Sequence, residues 1–170
     1  CNCPKCRETI AKYGAESATL VQYINYVSDA IDEWLSETDS GRKVKIGFFA
    51  YQHSLSAPVN SVNGKYVPAD ETMILRDNVI AVVAPIGANF AYSFKDSENA
   101  DSSMSIKQWA TICKNVCVWS YGTNFINYFY PFDSYNNLKE NLEYFFDNNV
   151  KIYFEQGQGG SGYKGGTQFL

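Results

Sequence analysis

Lys45-Ile46-Gly47-Phe48-Phe49-Ala50-Tyr51-Gln52-His53, Val116-Cys117-Val118-Trp119-Ser120-Tyr121-Gly122-Thr123-Asn124 and Val150-Lys151-Ile152-Tyr153-Phe154-Glu155-Gln156-Gly157 share one layout. Each is a short apolar run that ends in polar and aromatic residues. A further run, Asn78-Val79-Ile80-Ala81-Val82-Val83-Ala84-Pro85, is apolar almost throughout, as suits a strand buried on both faces. Amphipathic stretches alternate with these runs. Strands separated by helices pair in parallel, because each crossover carries the chain back over the sheet before the next strand begins. The reading is an α/β fold of parallel β/α repeats. Parallel pairing brings the carboxyl ends of the strands to one edge, where folds of this kind hold their sites.

Outward from the strands, Ser17 to Ser36 predicts a helix. Leu20, Ile24, Val27, Ile31, Trp34 and Leu35 recur at spacings of three and four, and Ser17 is a suitable N-cap. Thr38-Asp39-Ser40-Gly41 stops this helix, and the first strand runs over 43–51. Residues 1–14 read as a Cys-rich loop. A long connection spans about 53–77, punctuated by Pro58, Asn63-Gly64 and Pro68. The second strand covers 78–84. The polar stretch 95–103 leads to a short helix carrying Ile106, Trp109, Ala110 and Cys113. An aromatic loop over 125–132 with Pro131 follows the third strand. A last helix over 136–148 is expected to bury Leu138, Leu142, Phe145 and Phe146. The Gly-rich tail, 157–166, reads as a rim loop. It lacks the Lys-Ser/Thr ending of a phosphate loop and the spacing of a dinucleotide fingerprint.

The 170 residues suit one domain, and 45% hydrophobic residues are enough for a sizeable core. A formal charge of −4 and a pI near 5.0 argue against nucleic acid as a partner. No apolar run approaches the ~18 residues of a membrane span. Tyr is the commonest aromatic, at 13. It joins a flat apolar face to a hydroxyl, which suits sugar rings or a wet interface as well as packing. The chain starts at Cys1 without Met, and no helix is evident after its last strand. The expectation is a piece of a longer barrel, completed by further residues or another polypeptide.

Glu155 is the leading candidate for chemistry. It ends a strand beside Phe154, and burial among aromatics would raise its pKa toward that of a general acid. A sugar-hydroxyl acceptor or a structural carboxylate are the other readings. Tyr51, Gln52 and His53 end the first strand. His53 is the single His, so no Cys₂His₂ or multi-His metal centre forms from this chain. It suits a hydrogen bond to substrate, acid–base work or a satisfied loop position. Trp119, Tyr121 and Asn124 read as a binding set: aromatic faces for the C–H side of a pyranose and an amide that both donates and accepts. Strand alternation puts Trp119 and Tyr121 on one side and Ser120 on the other. Core packing is the competing role for both rings. There is no Gly-x-Ser-x-Gly elbow. Cys1, Cys3 and Cys6 are a tight group in which a local disulfide is the plainer reading, since a structural zinc site needs a fourth ligand. The odd count of five Cys leaves at least one thiol unpaired within the chain. Cys117 reads as buried packing. No cofactor is expected.

Cys1-x-Cys3-x-x-Cys6, Ala50-Tyr51-Gln52-His53 with Pro58 beyond it, Val118 to Phe125 followed by Tyr130-Pro131-Phe132, and Val150-x-x-x-Phe154-Glu155-Gln156-Gly157 occur here in order. This ordered set resembles a bacterial domain-of-unknown-function family, number 4838. The resemblance implies a glycoside-hydrolase-like (β/α)₈ barrel similar in shape to those of α-glucuronidases and hexosaminidases. It further implies a secreted or cell-surface location and a polysaccharide or glycan as partner. Residues 43–51, 78–84, 116–121 and 150–155 would be the fifth to eighth strands, the later half of a TIM-type barrel. Ser120 stands where the family often has Asp, and the family's Cys-x-x-His is missing near 88–91. The expected activity is acid-assisted cleavage of a glycosidic bond, with Glu155 as the local carboxyl. Tyr51, His53, Trp119, Tyr121, Asn124 and Gln156 would hold the sugar. A non-catalytic carbohydrate-binding module and a structural or partner-binding domain are the alternatives.

Overall fold

The computed structural model describes residues 1, 3–124 and 132–157. In chain order its elements are α1 (Pro4–Tyr13), α2 (Ala18–Thr38), β1 (Ile46–Ala50), β2 (Val59–Val62), β3 (Lys65–Pro68), β4 (Val79–Val83), α3 (Ala100–Ile112), β5 (Val116–Tyr121), α4 (Leu138–Asp147) and β6 (Val150–Gln156). The expected aromatic loop, apart from Phe132, and the tail beyond Gly157 lie outside the described residues.

The main sheet has four strands in the order β1-β4-β5-β6, and every pairing is parallel. The α/β reading with parallel repeats therefore holds. Its register separates two faces. Val79, Ala81 and Val83 of β4 are fully buried, whereas Ile80 and Val82 between them are only partly covered. Phe48 meets Trp109 of α3 edge-on at 5.3 Å, and Tyr153 stacks on Phe145 of α4 at 5.8 Å. Both helices thus cover the same face. The opposite face carries Phe49, Trp119 and Phe154, with Phe49 half exposed.

Several local expectations are corrected. Residues 4–13 form a helix rather than a loop. Pro4 opens it and Gly14, at φ 72°, closes it, the Pro-first, Gly-last signature of a short helix. Its polar composition hid that periodicity. The long connection contains a hairpin, β2 against β3, turned by Asn63 (φ 52°) and Gly64 (φ 76°). Asn-Gly is the dipeptide that reaches two consecutive positive φ angles at least cost.

The last helix buries Asn141, Tyr144 and Phe145, while Phe146 is 82% exposed and Leu138 and Leu142 stay partly in solvent. Polar contacts select that face. The Asn141 Oδ1 accepts the Phe94 N–H at 2.8 Å, and the Tyr144 hydroxyl donates to the Ser103 carbonyl at 3.0 Å.

On α2 the buried face runs through Ala18, Val21, Ile24, Asn25, Ser28 and Leu35, and Trp34 is exposed. Asn25 donates to the Ile74 carbonyl at 2.9 Å and accepts the Arg76 N–H at 3.2 Å, tying the helix to the segment that enters β4. Ser17 stands at the N-cap position, but its hydroxyl donates to the Ser56 carbonyl instead of capping.

One buried amide positions the loop that follows β4. The Asn99 Nδ2 donates to the carbonyls of Asn89, Tyr92 and Ser93 at 2.9, 3.1 and 3.2 Å, and its Oδ1 accepts the Asn89 N–H at 2.8 Å. Asn99→Ala leaves these groups without partners, and the expected loss is about 2–3 kcal/mol in urea unfolding. A loss under about 0.5 kcal/mol would mean that the loop holds itself.

At the other end of the sheet Arg76 grips Asp29 in two bonds, Nε to Oδ1 at 2.7 Å and Nη2 to Oδ2 at 2.8 Å. The guanidinium keeps the Asp29 carboxyl below its ordinary value. The folded pKa lies below the unfolded one, so this stability is present above about pH 4 and fades as pH falls through the folded value. Both side chains are about half exposed, which limits the pair to about 0.2–1 kcal/mol. Asp29→Asn should lose that amount at neutral pH and flatten the acid limb of a stability–pH curve. An unchanged acid limb would show that the pair is inert.

Candidate functional site

All four strands of the main sheet deliver their carboxyl ends to one edge. After β1 the backbone turns sharply. Gln52 takes φ 50°, a left-handed conformation uncommon outside Gly, and opens a 3₁₀ turn over Gln52–Ser54. Ser54 locks it, its Oγ accepting the Tyr51 N–H at 3.1 Å and donating to the Tyr51 carbonyl at 3.0 Å.

Between the ends of β4 and β5 lies a cavity of about 570 Å³, within the size range of small-ligand sites. The loop after β4 contributes Asn89 and Phe90, and the stretch after β5 contributes Tyr121, Thr123 and Asn124, with Asp133 opposite. Phe90 is the floor, within 6.1 Å of Phe94, 6.0 Å of Tyr121 and 5.8 Å of Phe132. Tyr121 is 7% exposed. Burial, and then the neighbouring Tyr51, push its phenol above the ordinary value. Thr123 is almost wholly buried, and its Oγ1 has no hydrogen-bond partner among the described residues. A buried hydroxyl without a partner costs free energy that a ligand hydroxyl would recover. A larger groove of about 830 Å³ runs between the hairpin and α3 and α4, and none of the predicted site residues line it.

The remaining predicted residues divide between places. Tyr51 neighbours Tyr121 and lines another cavity with His53. Trp119 lies on the open face of the sheet, tilted over Phe154 at 4.0 Å and edge-on to Phe49 at 5.2 Å, and its indole N–H donates to the Gln156 Oε1 at 3.0 Å.

Glu155 faces the other way. It pairs in register with Ser120, while Phe154 pairs with Trp119 and Gln156 with Tyr121. An extra residue between Val150 and Ile152 sets this phase. Glu155 is exposed rather than buried among rings, and it accepts the Tyr153 hydroxyl. Burial, and then that carboxylate, push the Tyr153 phenol far up. The Glu155 carboxylate rests against Gly122, in the space that a Cβ there would fill. Gly122 joins the cavity residues Tyr121 and Thr123, but neither it nor Glu155 lines the cavity itself.

His53 stands apart. It is 88% exposed, with Nδ1 3.4 Å from Glu16, and it lines a second cavity of about 400 Å³ with Cys1, Glu16 and Tyr51. No disulfide forms: Cys1, Cys3, Cys6, Cys113 and Cys117 are all free. Cys117 is buried, as expected. The Cys6 N–H, the Cys6 thiol and the Lys5 N–H hold the Cys3 thiol below its ordinary value, while Cys6 itself is raised by Cys3.

Sequence reasoning missed Asn89, Phe90, Thr123 and Asp133. The first two follow the apolar run 78–85 by only a few residues, and that proximity was the available signal. Thr123 lay within a quoted motif, but the neighbouring rings drew the reading. Asp133 gave no signal, being an acid in a polar stretch like many others.

Among the described residues no helix is long and apolar enough to cross a membrane. No curated protein and no solved structure matches the chain. A family model described as "Domain of unknown function (DUF4838)" matches residues 1–168, and the chain belongs to that family.

Proposed function

We propose that this chain recognises carbohydrate at the carboxyl edge of its sheet, in the cavity between the ends of β4 and β5. The observation that carries the reading is the lining itself. Aromatic rings, the amide side chains of Asn89 and Asn124, and a buried Thr123 hydroxyl without a hydrogen-bond partner among the described residues converge there. A sugar presents apolar C–H faces and many hydroxyls at once, and this mixture answers both. The fold half of the proposal is that the parallel sheet is part of a TIM-type barrel, with Phe49, Trp119 and Phe154 on the inward face. Strand order that follows chain order, with α3 and α4 on one face, supports it. A secreted or cell-surface setting goes with the same proposal.

Glycosidic cleavage is a second reading, favoured by the contact of Glu155 with Gly122, the residue between the cavity-lining Tyr121 and Thr123. Cleavage of this kind usually employs two carboxyl groups, and Asp133 brings another carboxyl to the cavity. One would protonate the leaving oxygen while the other activates water or attacks the sugar.

Calorimetry against uronic-acid and N-acetylhexosamine oligosaccharides tests recognition. Thr123→Val should raise folding stability by about 1 kcal/mol, because it removes a buried hydroxyl that has no partner among the described residues. It should also weaken sugar binding by roughly three- to tenfold. Trp119→Phe, outside the cavity, should leave affinity within about twofold. Absence of binding to every sugar tested would overturn the reading. For cleavage, Glu155→Gln and Asp133→Asn should each lower turnover by about a hundredfold or more. Gly122→Ala, which displaces the Glu155 carboxylate, should lower it with little change in fold. Full turnover in Glu155→Gln would remove Glu155 from the chemistry.

A further inference from the structure

At the start of the chain three thiols are drawn together but not joined. The Sγ atoms of Cys1, Cys3 and Cys6 all lie within 4.8 Å of one another, and none is joined to another in a disulfide. A disulfide would bring two of them to about 2.05 Å. A tetrahedral zinc ion with Zn–S bonds of about 2.3 Å holds its sulfurs roughly 3.8 Å apart. The observed triangle is the right size to close on such an ion with small side-chain rotations.

The local backbone favours the same outcome. Cys3 is the residue before α1 and Cys6 lies in its first turn, so Cys-x-x-Cys wraps a helix start, a spacing common in zinc sites. Pro4 fixes the first helical position and brings no N–H of its own to compete. The helix needs an anchor as well. Tyr13 is its one buried residue, so packing alone holds its amino end weakly.

We propose that Cys1, Cys3 and Cys6 form a zinc-binding site that fastens the amino end of α1. Three thiolates favour thiophilic ions such as zinc over calcium or magnesium. No fourth His, Cys, Asp or Glu joins the cluster among the described residues. The fourth ligand is a water or another external donor. It reaches the ion from the side of the cavity that Cys1 shares with Glu16, Tyr51 and His53. The site is independent of the carbohydrate reading, since none of its ligands line the cavity between β4 and β5.

The test uses the full chain, reduced and stripped with chelator, then dialysed separately against zinc and cobalt. One zinc per chain by elemental analysis is expected. Cobalt should give thiolate charge-transfer absorption in the near ultraviolet and the visible bands of a tetrahedral ion. Cys3→Ser and Cys6→Ser should each weaken zinc binding by about tenfold or more, whereas Cys117→Ser should not change it. Circular dichroism checks that each variant is folded, and the cobalt spectrum of the unmodified chain stands whatever the variants do. Less than about a tenth of an equivalent of zinc would overturn the proposal. So would unchanged affinity in folded Cys3→Ser, an iron–sulfur chromophore in the protein as purified, or a disulfide within the cluster that excludes the metal.

Discussion

The four strands of the main sheet run parallel in the order in which they occur in the chain, and each connection must therefore return across the sheet before the next strand can pair. The returns through α3 and α4 cross the same face. They cover Val79, Ala81, Val83, Val116 and Val118, all fully buried. Each return also leaves the carboxyl end of one strand at the same edge as the last. The cavity is a product of this geometry: β4 and β5 end side by side, and described residues that follow each of them line the space between.

The loops are held by polar side chains from the helices that follow them. Asn99, just ahead of α3, fixes the loop after β4 through four hydrogen bonds. Asn141 of α4 reaches the same loop at Phe94. Trp109 serves the neighbouring connection, its indole N–H donating to the Leu55 carbonyl at 2.7 Å while its ring lies beneath Phe48. Scaffold and site are thus linked by a few buried polar atoms whose partners are main-chain groups. Such atoms leave little latitude, because each has one acceptable geometry in a medium that offers no water as a substitute.

The strands were legible because each core is a short apolar run; β1, β4 and β5 fall within the ranges 43–51, 78–84 and 116–121 read for them, and β6 runs one residue past 150–155. The helix faces were less so. Counting apolar residues predicts that Leu142 and Phe146 are buried, yet Asn141 and Tyr144 took those places, because each satisfies a main-chain group that packing had already sealed off. Periodicity registers hydrophobicity and is blind to a demand for a hydrogen bond. The same limit applies to the site. Tyr121 and Asn124 were readable as aromatic and amide residues beyond a strand, and they line one cavity. His53 was equally conspicuous, but the 3₁₀ turn at Gln52 carries it to another cavity, and no residue pattern announces a left-handed Gln.

The irregularity at the start of β6 has a consequence for how this chain can change. Counting along a strand is a matter of odd and even, and the additional residue, Lys151, inverts that parity for everything downstream. Pairing one-for-one from Val150 against Val116, with no residue set aside, would exchange the two sides of the strand. Glu155 would come level with Tyr121, on the side of Trp119, and Phe154 would be driven beneath α4. The irregularity is therefore as much a determinant of where the carboxylate lies as the identity of residue 155. Loss of Lys151 alone would let the strand pair without interruption and leave Glu155 opposite Ser120.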